Sequence, residues 1–122
     1  MEKVDSVALT ILIDEIDAVE RSIQKKEQRI DRLTRNSATL NRMIQNLGKR
    51  YVEDHPHYNP REDSLHYEAF LESDTGRLIR KAEQRIMDAS FEAKGLRDQI
   101  SRSYEELAIL KKIHRKIKEE TK

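Results

Sequence analysis

The sequence predicts an all-α fold, a long antiparallel helical hairpin of the coiled-coil type, with the option of pairing into a four-helix bundle. Three observations predict it. Read in sevens, Leu9 to Tyr51 places Leu9, Ile16, Ile23, Ile30, Ser37, Ile44 and Tyr51 at a positions, and Leu12, Val19, Lys26, Leu33, Leu40 and Leu47 at d positions. Eleven of these thirteen are apolar and the phase never slips. Sustained a/d spacing of this kind marks a helix that packs lengthwise on another helix. The same spacing returns later, with Ile79, Ile86, Ala93, Ile100, Leu107 and His114 at a, and Ala82, Ala89, Leu96, Ser103, Leu110 and Ile117 at d. Between the two stretches lie both prolines of the chain, Pro56 and Pro60.

Composition agrees. Charged residues make up 39% of the 122 residues and aromatics 5%, with four Tyr, two Phe and no Trp. That is the make-up of a long helix rather than of a layered enzyme, because so few bulky residues cannot fill a thick core. One domain is expected from the length, spanning 1–122. Without Cys there are no disulfides or thiolate metal sites. No apolar run is long enough to span a bilayer, and Asp14, Glu15 and Asp17 cut the N-terminal apolar run short of a secretory signal, so a cytoplasmic location is expected.

Taken in order, residues 1–5 are expected to fray, and Asp5 or Ser6 to cap a first helix over about 6–51. The opening Val7-Ala8-Leu9-Thr10-Ile11-Leu12-Ile13 is β-branched enough to read as a strand, but the heptad runs through it in phase and no second strand exists to pair with it. Val7, Ile11 and Ile13 fall outside a and d, so the apolar face there is wider than one partner helix covers. Lys26 and Ser37 are polar seam positions of the kind that set register, and Lys26 can lay its methylenes over the seam with its ammonium in water.

A turn is expected at about 52–59, where His55 and Asn59 each precede proline and are biased away from the helical region. Asn59-Pro60-Arg61-Glu62 then reads as a helix start, with Asn as N-cap and Pro at the first helical position. The second helix is expected over about 60–119, with a weak point at Ser73-Asp74-Thr75-Gly76, four poor helix formers in a row. Two such helices joined by a short turn fold back on each other. With the loop centred near residue 57, facing positions sum to about 115, which sets Lys26 against Ala89, Ile23 against Ala93 and Leu33 against Ala82.

Charge is segregated although the net value is +1: residues 1–20 carry −5, 21–50 carry +7, 51–75 carry −6 and 76–118 carry +6. In a hairpin these blocks of opposite sign lie side by side, each exposed pair contributing a few tenths of a kcal/mol.

The function implied is that of a non-enzymatic interaction protein, an adaptor, chaperone or assembly subunit. It would dock a protein partner or a second copy, most simply as a homodimer, through the apolar terminal end formed by Val7, Ile11, Ile13, Tyr104, Ala108, Ile109 and Ile113. An alternative is a basic hairpin that binds nucleic acid through Arg21, Lys25, Arg29, Arg32, Arg35, Lys112, Arg115 and Lys116. Small Rop-type bundles present such a face, an analogy of architecture with no sequence motif behind it. Against it, the acidic blocks cancel part of the field and few aromatics are available to stack on bases. No phosphate loop, nucleophile elbow or paired metal-ligand motif points to catalysis, and no cofactor is implied. His55, His57 and His66, with Glu53, Asp54 and Asp63, crowd the turn, but no recognised ligand spacing is present, so a polar loop is the simpler reading and no metal is expected. His114 reads as a core-edge histidine.

Overall fold

The computed structural model describes residues 2–58 and 65–120, with side chains from Ser6 onward. The described residues form three helices: α1 (Glu2–Asp54), α2 (Leu65–Glu72) and α3 (Asp74–Glu120). Helix α1 packs against α3, which makes the fold an all-α helical hairpin. All twenty-five a and d positions named above are buried or half-buried, whereas the outward b, c and f positions from Thr10 to Glu53 of α1 are exposed throughout. The helices therefore meet along the stripe that the heptads mark, Lys26 and Ser37 included. No helix among the described residues is long and apolar enough to cross a membrane.

The chain divides into two compact units, one of Met1–Asp31 with Ala93–Lys122, the other of Arg32–Glu92. In the first, Ile23, Ile100 and Leu107 form a buried cluster, with Ile16, Val19 and Ile30 packed against it. Two side-chain pairs cross the edge of this seam. Tyr104 Oη donates to Glu27 Oε1 at 3.2 Å, and Lys111 Nζ lies 3.5 Å from Glu20 Oε1. Each pair joins an e position to an e position, as an antiparallel arrangement requires, and each sums to 131. The register in this unit thus differs from the expected sum of about 115: Ile23 packs with Ile100 and Leu107 rather than centring on Ala93. The difference is close to two heptads. A slip of two heptads returns a to a and d to d, so the apolar spacing is nearly blind to it.

Helix α1 already runs from Glu2, so neither Asp5 nor Ser6 caps it; the Ser6 carbonyl instead accepts from Thr10 Oγ1 at 3.0 Å inside the helix. At its other end α1 continues through Gly48 to Asp54. The proposed helix start at Asn59-Pro60-Arg61-Glu62, and Asp63 beside it, lie outside the described residues.

The second unit closes on an aromatic cluster and a sharp helix junction. The Tyr51 ring stacks on His55 at 4.0 Å between centroids and meets Phe70 edge-on at 4.8 Å and Tyr58 at 5.5 Å. Ser73 separates α2 from α3 and holds both. Its Oγ donates to the Phe70 carbonyl at 2.5 Å and accepts from the Gly76 N–H at 3.0 Å, the bond of a helix N-cap. Its carbonyl accepts from the Arg77 N–H at 3.0 Å, and Arg80 donates to the Leu71 carbonyl at the end of α2, where a cation is favoured. Gly76 is buried, and a Cβ built on it would stand 1.9 Å from the Phe70 carbonyl oxygen. Only glycine lets α3 start this close to the end of α2. Ile79, Ala82 and Leu33 are the other buried apolar side chains of this unit.

Candidate interaction surfaces

The first unit leaves apolar residues outside its seam. Val7 is 58% exposed, Ile11 56%, Ile109 60% and Tyr104 51%; Ile13, Ala108 and Ile113 are also exposed. Their heptad positions explain why. Val7 and Ile11 sit at f and c, a helical turn apart on the outward side of α1. Ile109 and Ile113 form the matching pair on α3 at c and g, while Ile13 and Tyr104 sit at e, beside the seam. The set is therefore gathered at one unit: Val7, Ile11, Ala108 and Ile109 lie at outward positions, and Ile13, Tyr104 and Ile113 at the e and g edges of the seam.

Tyr104 is half apolar surface and half strap. Its hydroxyl bonds Glu27, and that bond, with the carboxylate's charge, raises its pKa above the ordinary 10.0. With Glu20, Gln24 and Lys111 it rims a shallow cleft of about 300 Å³ whose floor is Ile23 and Leu107. The sequence pattern did not reveal this cleft. Its signal is the e positions Glu20, Glu27, Tyr104 and Lys111, which can be paired only once the register is known.

The basic candidates fall on more than one surface. Arg21 and Lys25 are exposed on the outward side of α1 and share an open cleft with Ala18, Ser22 and Lys26. Arg29 already has a partner of its own. Lys112, Arg115 and Lys116 are exposed at f, b and c of α3, turned away from the seam in the other direction. Arg32 and Arg35 belong to the second unit and are exposed.

At the end of α1, Leu47, Arg50, Asp54, His55, His66 and Asp74 line a cleft of about 600 Å³. His55 is held by its stack on Tyr51 and by Nδ1 at 2.9 Å from the Tyr51 carbonyl oxygen. Burial, with Tyr67 and Tyr51 nearby, raises the pKa of the Tyr58 hydroxyl. Among the described residues no three His, Asp or Glu side chains are grouped to share a metal ion. His114 occupies its seam position half-buried. Comparison with protein-family models, with curated proteins and with solved structures returns no match.

Proposed function

We propose that this protein is a non-catalytic helical interaction module that assembles through its terminal end, with a second copy of the chain completing a four-helix bundle. The observation that carries this reading is the apolar surplus of the first unit: Val7, Ile11, Ile109 and Ile113 stay exposed while the a and d positions beside them are buried or half-buried. Exposed apolar residues clustered at one end of a chain are the mark of an association site. A second argument is energetic. Among the described residues no side chain reaches full burial, and the buried ones form a single-file seam. Backbone ordering costs about 1–2 kcal/mol per residue, so a two-helix seam is marginal alone, and a symmetric partner that covers Val7, Ile11, Ile109 and Ile113 adds the missing burial.

Sedimentation equilibrium of the whole chain tests the proposal. The wild type is expected to be a dimer at about 100 µM, a concentration that populates even weak association. Ile11→Asp combined with Ile109→Asp is expected to give a monomer that keeps much of its helical circular dichroism but melts at a lower temperature, because both positions face away from the seam and the seam alone is marginal. A fully helical wild-type monomer at that concentration overturns the reading.

A further inference from the structure

Between Asp31 and Glu53 the chain carries no carboxylate at all. Over that stretch α1 carries Arg32, Arg35, Arg42, Lys49 and Arg50, and all five are exposed. All belong to the unit Arg32–Glu92. The spacing of four of them matters most. Arg32, Arg35, Arg42 and Lys49 fall at c, f, f and f of the heptad, so they form one stripe on the side of α1 opposite its seam. Arg42, in the middle, has no acid within ten residues in either direction. The solvated face of a helix ordinarily mixes signs, as α3 does with Lys81, Glu83, Arg85 and Asp88. This stripe does not.

What fills the stripe between the cations is equally specific. Ala38 and Thr39 lie between Arg35 and Arg42, and Gln45 and Asn46 between Arg42 and Lys49, all exposed. Thr39 Oγ1 donates to the Arg35 carbonyl at 3.1 Å and accepts from Arg42 Nη2 at 3.4 Å, which lays the Arg42 guanidinium along the helix surface. Arginine forks, amides and hydroxyls are the groups that bond phosphate oxygens and base edges. Small residues at the middle of the stripe let the helix axis come close to its target.

We propose that this face of α1 is a docking helix for double-stranded nucleic acid, held through the phosphate backbone. A duplex is favoured over a single strand because residues 32–50 contain no aromatic ring on which a base could stack. It is favoured over an acidic protein because the stripe offers no apolar anchor on its midline; Met43 lies at its edge. The seam holds α1 from behind, so the stripe is presented outward, and a major groove about 12 Å wide admits one α-helix. From Arg32 to Lys49 the stripe runs roughly 26 Å, most of one duplex turn.

Four phosphate contacts give a salt slope of about −3.6 on DNA, so the association constant falls about 150-fold between 50 and 200 mM salt. The test is fluorescence anisotropy of the full chain with labelled duplexes of about 20 base pairs, two helical turns, in DNA and RNA arms, with a single strand and heparin as competitors. Binding to either duplex at about 50 mM salt is expected, and the tighter of the two names the natural source. Arg35→Gln with Arg42→Gln is expected to halve the slope to about −1.8, and circular dichroism should be unchanged because glutamine is an equally good helix former. Lys112→Gln with Arg115→Gln on α3 should leave the slope as it was. Absence of duplex binding at low salt overturns the proposal. So does loss of binding in the α3 variant with retention in the α1 variant, and so does heparin binding without duplex binding. Duplex binding and its loss in the α1 variant can be read on a monomer or a dimer, and sedimentation reads the assembly without nucleic acid, so failure here and failure of the proposed assembly are separable.

Discussion

The two units use the same pair of helices and hold themselves together differently. The first is repetitive: Ile16, Val19, Ile23, Ile30, Ile100 and Leu107 pack at heptad intervals, and exposed pairs such as Glu20 with Lys111 decorate the edge. The second depends on particular residues at particular places, with Tyr51 inside an aromatic cluster, Ser73 capping α3 and Gly76 where a Cβ would meet the Phe70 backbone. A repetitive seam spreads its stability over many contacts, each modest. A junction concentrates it in a few atoms. Single substitutions should therefore hurt the second unit more, position for position.

The glycines provide the strongest version of that contrast. Gly76→Ala puts a methyl against the Phe70 backbone, which must move away, and overpacking of this kind costs about 3 kcal/mol at the upper end of its range. A Cβ at Gly95, in the first unit, meets nothing within 4 Å, so Gly95→Ala should stabilise by up to about 1 kcal/mol through helix propensity alone. Urea denaturation of the two variants reads both signs. Equal effects would break the distinction between junction and seam.

Leu107→Ala probes the seam itself. Leu107 is 7% exposed and sits in the cluster with Ile23 and Ile100, so truncation leaves a gap that only one facing helix can relax into. The expected loss is about 2 kcal/mol, the low end for a buried leucine, because the seam is open on its flanks. A loss as large as that of Gly76→Ala would show that the first unit is no more redundant than the second.

The same contrast explains what could be read from the chain before its structure. The seam was legible residue by residue, because burial on one stripe forces apolar residues to recur every three or four positions, and even Lys26 and Ser37 occupy it as half-buried members. The register was not legible. The observed sum of 131 and the expected one of about 115 differ by nearly two heptads, and opposed charge blocks tolerate both. The Tyr104–Glu27 and Lys111–Glu20 pairs, and the cleft they rim, depend on that register and were hidden with it. Ser73–Gly76 could be recognised as poor helix formers, but propensity cannot say that Gly76 is needed because a carbonyl of the preceding helix stands where its Cβ would be. At the N-terminus, capping preference pointed to Asp5 or Ser6, whereas the helix extends beyond both, since a favourable cap residue is also tolerated inside a helix when the apolar stripe continues.

The smallest expected effect lies at the edge of the first unit, where Tyr104 donates to Glu27. The bond and the carboxylate's charge both favour the protonated phenol, so the folded-state pKa is raised above 10.0. The sign of the linkage follows. Between the unfolded value and the raised folded value the native chain holds one proton more than the unfolded chain, so stability is fully present below pH 10 and falls as pH rises through that window. Tyr58 is raised as well, chiefly by burial, and contributes in the same direction from the second unit. The two are separable by substitution. Tyr104→Phe should remove one late-ionising phenol from the ultraviolet titration and flatten part of the alkaline loss, while leaving the neutral-pH melting temperature nearly unchanged, because the ring stays at the seam edge and only an exposed bond is lost. Glu27→Gln should lower the Tyr104 titration without removing it. A Glu27→Gln titration identical to wild type would mean that the strap does not persist in solution, and the e-position pairing that fixes the register would then rest on Glu20 and Lys111 alone.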